Sequence, residues 1–441
     1  MDEIESNKKS ILAGERANDI FDACYQLGIK YKNVNDWPNA IYWWFEAYDR
    51  CPDRVESLYE IVKHYREIGK KRSAQLVLDK AIKIQTKTTS VTNLLLFEQS
   101  ILSYYSGVPI DHYKYLDLIG SKYEKNTVLR NYTFYAKKLK DYCSQDIDFS
   151  DKKEIVVRDV LDVFTSSSPC IIPHNEGYML NIRYVNYTIY PNGSYGFHTT
   201  DRKLATLNLL HWLNKDFKPI RSHWFDKIEN TNVYYMGVED IRVFSHCEEL
   251  LFTGTIEDPS TGRIVIGNGK YDHTSNCLYP SVFNSPNNRS CEKNWCYFHN
   301  SDGELRIIYE WSPLSIYMIE DVHNIKHVQS NTNVPAFFSD IRGSSNGTLV
   351  NDEIWFACHL VVECSTPRTY YHCIVILDSK TMEYKRHSIL FKFHGDIIEY
   401  CLGFIVEPDR FIFSYSRMDC TSAVMVLDRE KVTHVLFPPA V

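Results

Sequence analysis

The sequence predicts an α + β multidomain protein in which an N-terminal α-helical solenoid precedes a C-terminal all-β five-bladed propeller. In the first third of the chain, apolar residues recur at intervals of three and four, as in Ala40, Trp44 and Ala47, which is typical of helices. From residue 157 onward the pattern changes to alternation and short apolar runs between turn signals, which indicates strands. Five short polar signatures, about 50 residues apart, begin β-rich segments, and such a period is typical of propeller blades.

Length, charge and cysteine usage limit the function classes. The 441 residues suffice for two domains with separate cores, which we place at 1–147 and 148–441. A net charge of −7 does not support nucleic-acid binding, and no apolar stretch approaches the ~18 residues that span a membrane. Residues 1–9 are too polar for a secretion signal, and 13 scattered cysteines without a CxxC pair favour reduced thiols and no metal site. We therefore expect a cytoplasmic protein.

The helical region contains an internal repeat of 34 residues. Small residues at such positions let two antiparallel helices approach closely. With Gly28 in the first helix and Pro52 closing the unit, residues 18 to 86 resemble tetratricopeptide repeats, although Val62 stands where a second copy would have its glycine. The matching small residues are Ala40 with Ala74 and Ala47 with Ala81.

The same periodicity predicts further helices and at least three helix pairs. Asp53 is expected to cap a helix over 54–68, which Gly69 ends. Tetratricopeptide-like arrays bind peptides or another domain, so we expect a protein partner or, equally, a structural dock onto the propeller. The additional helices are predicted over 91–105, 111–123 and 128–142.

Residues 144–156 are polar and charged, and we expect them to form the linker. No long amphipathic helix interrupts the region beyond it, so a sandwich, a barrel or a propeller fits. The five polar signatures favour the propeller. Strands are predicted over 182–189, 250–254, 264–267, 305–309, 353–362, 371–378, 389–393, 411–415 and 423–427.

The first strand of each blade lines the channel of a propeller, so the five polar signatures should converge on one pocket. A pocket of carboxylates and cations suits sugar chemistry, and an aromatic content of 14% supplies rings that stack on sugars. We therefore predict a carbohydrate-active domain. The signatures are Arg183-Tyr184-Val185-Asn186-Tyr187, Glu239-Asp240-Ile241-Arg242, Glu292-Lys293-Asn294-Trp295, Asp340-Ile341-Arg342-Gly343-Ser344-Ser345 and Glu399-Tyr400-Cys401-Leu402-Gly403.

The second signature supplies the candidate proton donor. In a regular strand, Asp240 and Arg242 project to one face and Glu239 to the other, so we expect the first two to face the channel. An arginine alone would keep the carboxyl ionised, whereas a neighbouring carboxylate or a dry pocket would raise its pKa. The alternative is a structural Asp–Arg pair.

Three motifs, read in order, carry a family resemblance. Gly-Val-Glu-Asp-Ile-Arg over 237–242, Leu-Phe-Thr-Gly-Thr over 251–255 and Glu-Lys-Asn-Trp over 292–295 resemble the five-bladed propellers of β-mannoside phosphorylases and related mannosyltransferases. The blade signature of that family is Glu-Asp-Pro-Arg, and Ile241 replaces its proline here. The resemblance, over about 165 to 441, implies that Asp240 is the general acid/base and that Arg242 contacts sugar or phosphate.

Two further signatures supply cations and a ring. Lys293 would bind phosphate and Trp295 would stack on a sugar, although a core position is the alternative for the ring. Regular alternation puts these two residues on one face, unless a bulge intervenes. Arg342 is followed by small residues whose amides would help to hold an anion. The resemblance implies a phosphate site of Arg, Lys and His side chains, for which Arg342, Lys293 and His372 are the counterparts.

The remaining candidates lie in the first and last blades. Asn186 is the better channel candidate there than Arg183, if the strand breaks between them. Glu399, or alternatively Asp419, would supply a second carboxylate beside Asp240. Glu239 is a further substrate-binding candidate.

These residues predict an inverting glycosyl transfer, with mannose implied by the resemblance. Phosphate is itself a nucleophile, so a phosphorylase needs cations and no general base, whereas an inverting hydrolase needs a second carboxylate. Inorganic phosphate or a sugar phosphate would be the co-substrate, with no other cofactor. Two alternatives stay open: an inverting hydrolase, and a non-catalytic glycan-binding or scaffold propeller.

Overall fold

The structure, a computed structural model, describes residues 17–84, 89–120, 125–157, 159–198, 202–229, 232–362 and 368–439. The expectation for residues 1–9 therefore lies outside the described residues. The chain divides into two compact units, Met1–Phe134 with Ala440–Val441, and Tyr135–Pro439. The first unit is helical and the second is rich in β-strands.

Helices of the first unit pack as neighbours along the chain. The second, third, fourth and fifth of them share an apolar core that contains Ala40, Trp44 and Ala74. The helices in the described part of this unit are α1 (Ala17–Asn33), α2 (Trp37–Arg50), α3 (Glu56–Glu67), α4 (Lys71–Ile82), α5 (Thr89–Ser106), α6 (His112–Gly120) and α7 (Lys125–Tyr132).

Small residues bring α1 and α2 together. A β-carbon at Gly28 would lie 2.3 Å from Nε1 of Trp44, so only glycine permits this approach. Ala47 and Ala81 are fully buried, as close helix contacts require. The tetratricopeptide assignment itself stays a prediction.

Two predicted helix boundaries are wrong. Helix α3 begins at Glu56 without a side-chain cap, because the Asp53 carboxylate instead accepts a hydrogen bond from Cys51 Sγ at 3.0 Å. The helix predicted over 128–142 ends at Tyr132, and a parallel pairing of Lys137–Lys138 with Phe391–Lys392 follows it. Tertiary strand pairing overrides helix propensity there. The end of the helix predicted over 111–123 lies outside the described residues.

In its described part, the second unit contains 27 strands and the helix α8 (Arg429–Leu436). The first half contains β1 (Lys137–Lys138), β2 (Cys143–Asp148), β3 (Lys152–Val157), β4 (Val160–His174), β5 (Gly177–Val185), β6 (Tyr187–Ile189), β7 (Tyr195–Phe197), β8 (Leu204–Leu213), β9 (Pro219–Phe225), β10 (Tyr235–Met236), β11 (Glu239–His246), β12 (Glu249–Glu257), β13 (Ile264–Lys270) and β14 (Ser281–Val282). The second half contains β15 (Cys296–His299), β16 (Leu305–Trp311), β17 (Leu314–Ile319), β18 (Ile325–Asn331), β19 (Ile341–Gly343), β20 (Thr348–Val350), β21 (Glu353–Val362), β22 (Thr369–Asp378), β23 (Tyr384–His387), β24 (Phe391–Lys392), β25 (Glu399–Val406), β26 (Arg410–Arg417) and β27 (Ala423–Asp428).

These strands form successive sheets in a propeller-like arrangement. Each of the larger sheets is mainly antiparallel, and β6 and β7 form a separate two-stranded ribbon. Neighbouring sheets pack side by side, β11 against β4, β16 against β19, and β25 against both β21 and β4. The larger sheets are sheet 1 (β3–β5 and β8–β10), sheet 2 (β11–β14), sheet 3 (β15–β18), sheet 4 (β1 and β19–β24) and sheet 5 (β2 and β25–β27).

The linker predicted over 144–156 is wrong, because most of these residues belong to strands. β2 pairs with β27 and β3 pairs with β4, each at the edge of its sheet. Edge strands have solvated positions and therefore tolerate charged residues, which explains the polar composition. Through β2, the start of this unit completes its last sheet.

Sheets 1 and 5 meet closely at the inner strands. A β-carbon at Gly403 would lie 2.4 Å from the backbone nitrogen of Ile171, so β25 can approach β4 only with glycine there. Residues of both sheets, among them Leu180, Ile405 and Val424, share one apolar core. This contact joins the last sheet to the first.

Two further features concern possible membrane-spanning helices and the state of the cysteines. Within the described ranges, no helix combines the length and the apolar character needed to cross a membrane. The twelve cysteines of the described residues are all free thiols, and most of them are buried.

Candidate active site

A polar cavity of about 510 Å³ lies among the inner strands of the second unit. This volume is within the usual range of ligand pockets, roughly 300–1,000 Å³. Sheets 1, 2, 4 and 5, the β6–β7 ribbon and the segment just before β15 contribute to its wall. The charged and phenolic side chains of the wall are Glu239, Asp240, Asp419, Arg183, Lys293, Arg342, Arg368, Tyr187, Tyr195, Tyr370 and Tyr400.

The backbone at Asp240 brings two neighbouring carboxylates into the cavity. Asp240 has a φ of 52°, in the left-handed region, and the pairing of β11 with β12 shifts between Glu239 and Arg242. This irregularity breaks the alternation of faces. Glu239 and Asp240 therefore both line the cavity, and the prediction that Asp240 and Arg242 share one face is wrong.

A second left-handed residue acts in the same way just before β15. Asn294 has a φ of 68°, and Lys293 and Asn294 both line the cavity. Trp295 turns into the protein instead, where it is 1% exposed and lies against Phe283 and Tyr309. The prediction of Trp295 as a sugar platform is therefore wrong, because the ring belongs to the core.

One arginine joins the two carboxylates. Arg183 Nη1 lies 2.7 Å from Oδ1 of Asp240, and its Nη2 lies 3.0 Å from Oε1 of Glu239. Lys293 Nζ lies 3.3 Å from the other oxygen of Glu239. Glu239 thus has two cationic partners and Asp240 has one, although the two acids are adjacent in sequence.

This arrangement separates the pKa values of the two acids. Burial raises the pKa of Asp240, Arg183 opposes this rise, and the charge of Glu239 adds to it. Burial also disfavours the ionised form of Glu239, but Arg183 and Lys293 outweigh it and lower the pKa of that acid. The pKa values of the two neighbouring acids therefore move in opposite directions, that of Asp240 upwards and that of Glu239 downwards, and such a split is typical of acid–base pairs.

A third carboxylate, that of Asp419, is connected to Arg183 through Tyr187. The Tyr187 hydroxyl donates to Oδ2 of Asp419 at 2.9 Å and accepts a hydrogen bond from Arg183 Nη2 at 3.2 Å. Ser167 Oγ also donates to Asp419, at 3.4 Å. Asp419 is thus linked to Asp240 through Tyr187 and Arg183.

Arg242 lies behind the wall rather than in the cavity. Its side chain is 2% exposed and donates to the carbonyl oxygens of Ser344, at 2.7 Å, and Gly343, at 3.1 Å. The same guanidinium donates to Asn294 Oδ1 and to the Tyr400 hydroxyl. Direct contact of Arg242 with a ligand, which the resemblance implied, does not fit this burial.

Of the two histidines in sheet 4, His359 lines the cavity, whereas His372, the predicted phosphate ligand, does not. His359 and His372 are paired directly across β21 and β22, yet only His359 lines the cavity, beside Arg342. His372 is fully buried against Phe393, and neither ring nitrogen has a hydrogen-bond partner in the described chain. The assignment of His372 to the phosphate site is therefore wrong, because the ring cannot reach the cavity.

His359 is a neutral member of the wall. Burial lowers its pKa well below the usual value, and His372 and Arg342 add to this effect. Its Nδ1 lies 2.9 Å from Ser344 Oγ. The neutral ring therefore lines the cavity with one of its nitrogens engaged by Ser344.

Two further candidates serve the fold. Asn186 is fully buried and donates to Asp162 Oδ2 at 2.8 Å while it accepts from the Ala205 amide at 2.8 Å. Glu399 is fully buried, and its carboxylate accepts backbone hydrogen bonds from Phe393, His394, Gly395 and Asp396. The predictions of Asn186 as a channel residue and of Glu399 as the second carboxylate are wrong, since both side chains are saturated.

Sequence analysis missed several wall residues. Arg183 and Tyr187 are four positions apart in the first signature. Strict alternation places two such residues on one face of a strand, so this spacing could have predicted both of them as wall residues. Tyr195 and Tyr370 have no signal in the sequence that separates them from ordinary core tyrosines.

In the part of the chain that the structure describes, no group of three His, Cys, Asp or Glu side chains has a metal-binding arrangement.

No family model and no curated protein sequence matches the chain. Among solved structures, a β-1,2-mannobiose phosphorylase from Listeria innocua is 12% identical over 67% of this chain and 100% of its own, with a TM-score of 0.44. A glycosyl hydrolase from Bacteroides ovatus is 9% identical over 67% of this chain and 94% of its own, with a TM-score of 0.45. A mannose phosphorylase from Leishmania mexicana is 13% identical over 64% of this chain and 90% of its own, with a TM-score of 0.38.

Proposed function

We propose that the β-rich unit catalyses the inverting transfer of a glycosyl group between phosphate and a sugar. The observation that supports this function best is the pair Glu239 and Asp240 in a cavity walled by cations. A buried acid with a raised pKa, beside an ionised acid, is suited to give a proton to a leaving oxygen.

The reaction needs one acid and an anion site. A phosphate oxygen attacks the anomeric carbon, the bond from that carbon to the leaving sugar oxygen breaks, and the leaving oxygen takes the proton of Asp240. In the reverse direction phosphate leaves, and the Asp240 carboxylate takes the proton of the acceptor hydroxyl. Glu239 stays ionised and holds Arg183 and Lys293 in place.

The anion site is assigned to the wall around Lys293. Lys293 and Arg342 supply positive charge, and neutral His359 supplies a ring nitrogen. A lysine acts as a point charge, while the planar guanidinium of an arginine matches two phosphate oxygens. Tyr195 and Tyr370, which line the same cavity, are the candidates for stacking on the sugar.

The finer assignments rest on the sequence motifs. Mannose is proposed from the Gly-Val-Glu-Asp-Ile-Arg resemblance, with a glycan or a sugar phosphate as substrate. We propose that the five larger sheets are the five blades and that the helical unit is a tetratricopeptide-like array that binds a protein partner. A cytoplasmic location fits the free thiols.

Hydrolysis is the second candidate, and Asp419 is the observation that favours it. An inverting hydrolase needs a second carboxylate to activate water. Asp419 lines the cavity and is held by Tyr187 and Ser167, so a fixed second carboxylate is present. Phosphate dependence separates the two reactions, because only transfer to or from phosphate requires that anion.

The deciding experiment measures phosphate release from α-mannose 1-phosphate with a panel of sugar acceptors, for the wild type and Asp240→Asn. We expect release by the wild type and a loss of about 10³-fold in the variant, since a positioned general acid contributes roughly 10²–10⁴-fold. Sugar release from β-mannosides without phosphate, lost in Asp419→Asn, would replace the transferase by the hydrolase. Glycan binding without any turnover would move the assignment to a non-catalytic binding protein.

A further inference from the structure

We propose that Asn294 is a further ligand-binding residue, a fixed amide donor to the phosphate oxygens that Arg242 and Tyr400 hold in position. The inference rests on the proposed function, because it adds a residue to the same anion site. Two hydrogen bonds end on a single atom of Asn294. Arg242 Nη2 lies 3.2 Å from Oδ1, and the Tyr400 hydroxyl lies 2.9 Å from the same oxygen.

The chemistry of the donors fixes which end of the amide faces the cavity. A guanidinium has only donors, so the oxygen of Asn294, and not the nitrogen, must face Arg242. The amino group Nδ2 then points away from Arg242 and Tyr400. Asn294 lines the polar cavity together with Lys293 and Arg342, and we infer that Nδ2 is a third donor beside these two cations.

Arg242, which holds the amide of Asn294, has several hydrogen-bond partners. Arg242 makes its hydrogen bonds to Asn294, to Tyr400 and to three backbone carbonyl oxygens, and none of these partners is a carboxylate. The guanidinium is buried, so it cannot exchange these partners for water without opening the structure. Oδ1 of Asn294 is therefore needed by Arg242, which prevents the amide from turning over.

The backbone explains why an amide residue stands at this position. Asn294 is left-handed, a conformation that Asn and Asp adopt more easily than most other residues. Aspartate would satisfy the backbone, Arg242 and Tyr400 equally well. An aspartate would differ only on the cavity side, where an oxygen would replace the donor. Asn294→Asp therefore keeps the anchor, but it removes the donor and adds a negative charge on the cavity side, so the uncharged Asn294→Ala is needed to separate these two effects.

The experiment measures the binding of inorganic phosphate by titration calorimetry, with thermal unfolding of each variant in parallel. We expect Asn294→Asp to bind phosphate at least about tenfold more weakly, because a hydrogen bond to a charged group is lost and a like charge is introduced. The melting temperature should not fall, since the new carboxylate gives the buried Arg242 a counter-ion. Loss of affinity in Asn294→Asp supports the proposal when the uncharged Asn294→Ala also binds phosphate more weakly and neither protein is destabilised.

A double-variant cycle tests the role of the anchor. Tyr400→Phe removes one of the two donors to Oδ1 and should weaken phosphate binding about threefold. In the Asn294→Ala background, the Tyr400→Phe change should weaken it no further, because Tyr400 acts through the amide. Equal losses in both backgrounds would overturn the positioning role.

Three results overturn the inference. Asn294→Asp with the phosphate affinity of the wild type would show that the side chain only accepts hydrogen bonds. Unchanged phosphate affinity in Asn294→Ala would show the same even if Asn294→Asp binds more weakly, because that loss would then come from the added charge, whereas a tenfold loss in Asn294→Ala would support the inference. A wild type that binds no phosphate would remove the anion site of the proposed function, whereas the first two results leave that site intact.

Discussion

Glu239 at the start of β11 and Glu399 at the start of β25 occupy different environments, because the first lines the polar cavity and the second is buried in the protein. At the start of β11, Glu239 and its neighbour Asp240 both line the polar cavity, because Asp240 is left-handed. At the start of β25 the chain is extended, so Ile398 and Tyr400 line the cavity, while the carboxylate of Glu399 is buried and accepts hydrogen bonds from four backbone amides. One signature thus contributes to the site, and the other mainly secures a loop.

The difference teaches that backbone conformation decides which polar residues meet. A regular strand directs neighbouring side chains to opposite faces, so only one of two adjacent polar residues can line the cavity. A left-handed residue cancels this alternation, as Asp240 and Asn294 do at the starts of β11 and β15, and Asp419 in the same wall is left-handed as well. Side-chain type alone does not distinguish Glu399 from Glu239.

The largest expected effect comes from removing the charge at both places. Asp240→Asn should lose about 10³-fold in transfer rate and keep its fold, because its role is to donate a proton. Glu399→Gln should keep the rate of the folded protein and lose about 3 kcal/mol in the free energy of unfolding, because buried amides lose their charged acceptor. Transfer assays and urea unfolding of both variants measure the two quantities.

The comparison fails if the two variants behave alike. A Glu399→Gln protein of normal stability and low activity would show that Glu399 contributes to the reaction. Conversely, an unstable Asp240→Asn protein would make Asp240 a structural residue, with Arg183 as its partner instead of the Arg242 that the sequence suggested.

Much of the fold could be predicted from the sequence, because periodicity records which side of an element is buried. The strand predicted over 353–362 matches β21, and the helix predicted over 91–105 falls within α5. Where long-range pairing decides, prediction was wrong. The residues of β2 and β3 are polar edge strands and look like a linker, since nothing in their own sequence records their partners.

Less of the candidate site could be predicted. Asp240, Glu239, Lys293 and Arg342 were named from charge and spacing, and the structure places all four in the cavity. Their roles stay a prediction. Trp295, His372 and Glu399 were named by the same reasoning but lie in the core, because a one-residue change of face is invisible without the backbone. Conversely, Arg183 was passed over although it joins both acids.

A smaller effect is expected from the histidine that faces away from the cavity. Burial lowers the pKa of His372 to about 3, so the folded protein keeps this ring neutral while the unfolded chain protonates it near pH 6.5. The protein should therefore lose stability as the pH falls from about 6.5 towards 3. His372→Leu should remove about 2 kcal/mol of the loss between pH 8 and pH 5, measured by urea unfolding.

The measurement at pH 8 is its own control, because there both proteins are neutral at this position and differ only in packing. Equal acid sensitivity of the variant and the wild type would mean that His372 finds a partner when protonated. His359 offers the contrast, since His359→Leu should weaken phosphate binding.

The smallest expected effect is a shift in the pH profile of kcat/KM when Lys293 is replaced by Gln. Transfer needs protonated Asp240, so activity should fall as the pH rises through the pKa of that acid, and it needs ionised Glu239, which sets the acidic limb. Lys293 lowers the pKa of both acids, so Lys293→Gln should move both limbs to higher pH. Arg342→Gln is the matched control, because it also removes a cation from the cavity wall, but the main causes of the pKa shifts of Glu239 and Asp240 do not include Arg342. A shift in Lys293→Gln alone would identify Asp240 and Glu239 as the titrating groups, whereas equal shifts in both variants would mean that general cavity charge, and not the Glu239–Lys293 pair, sets the profile.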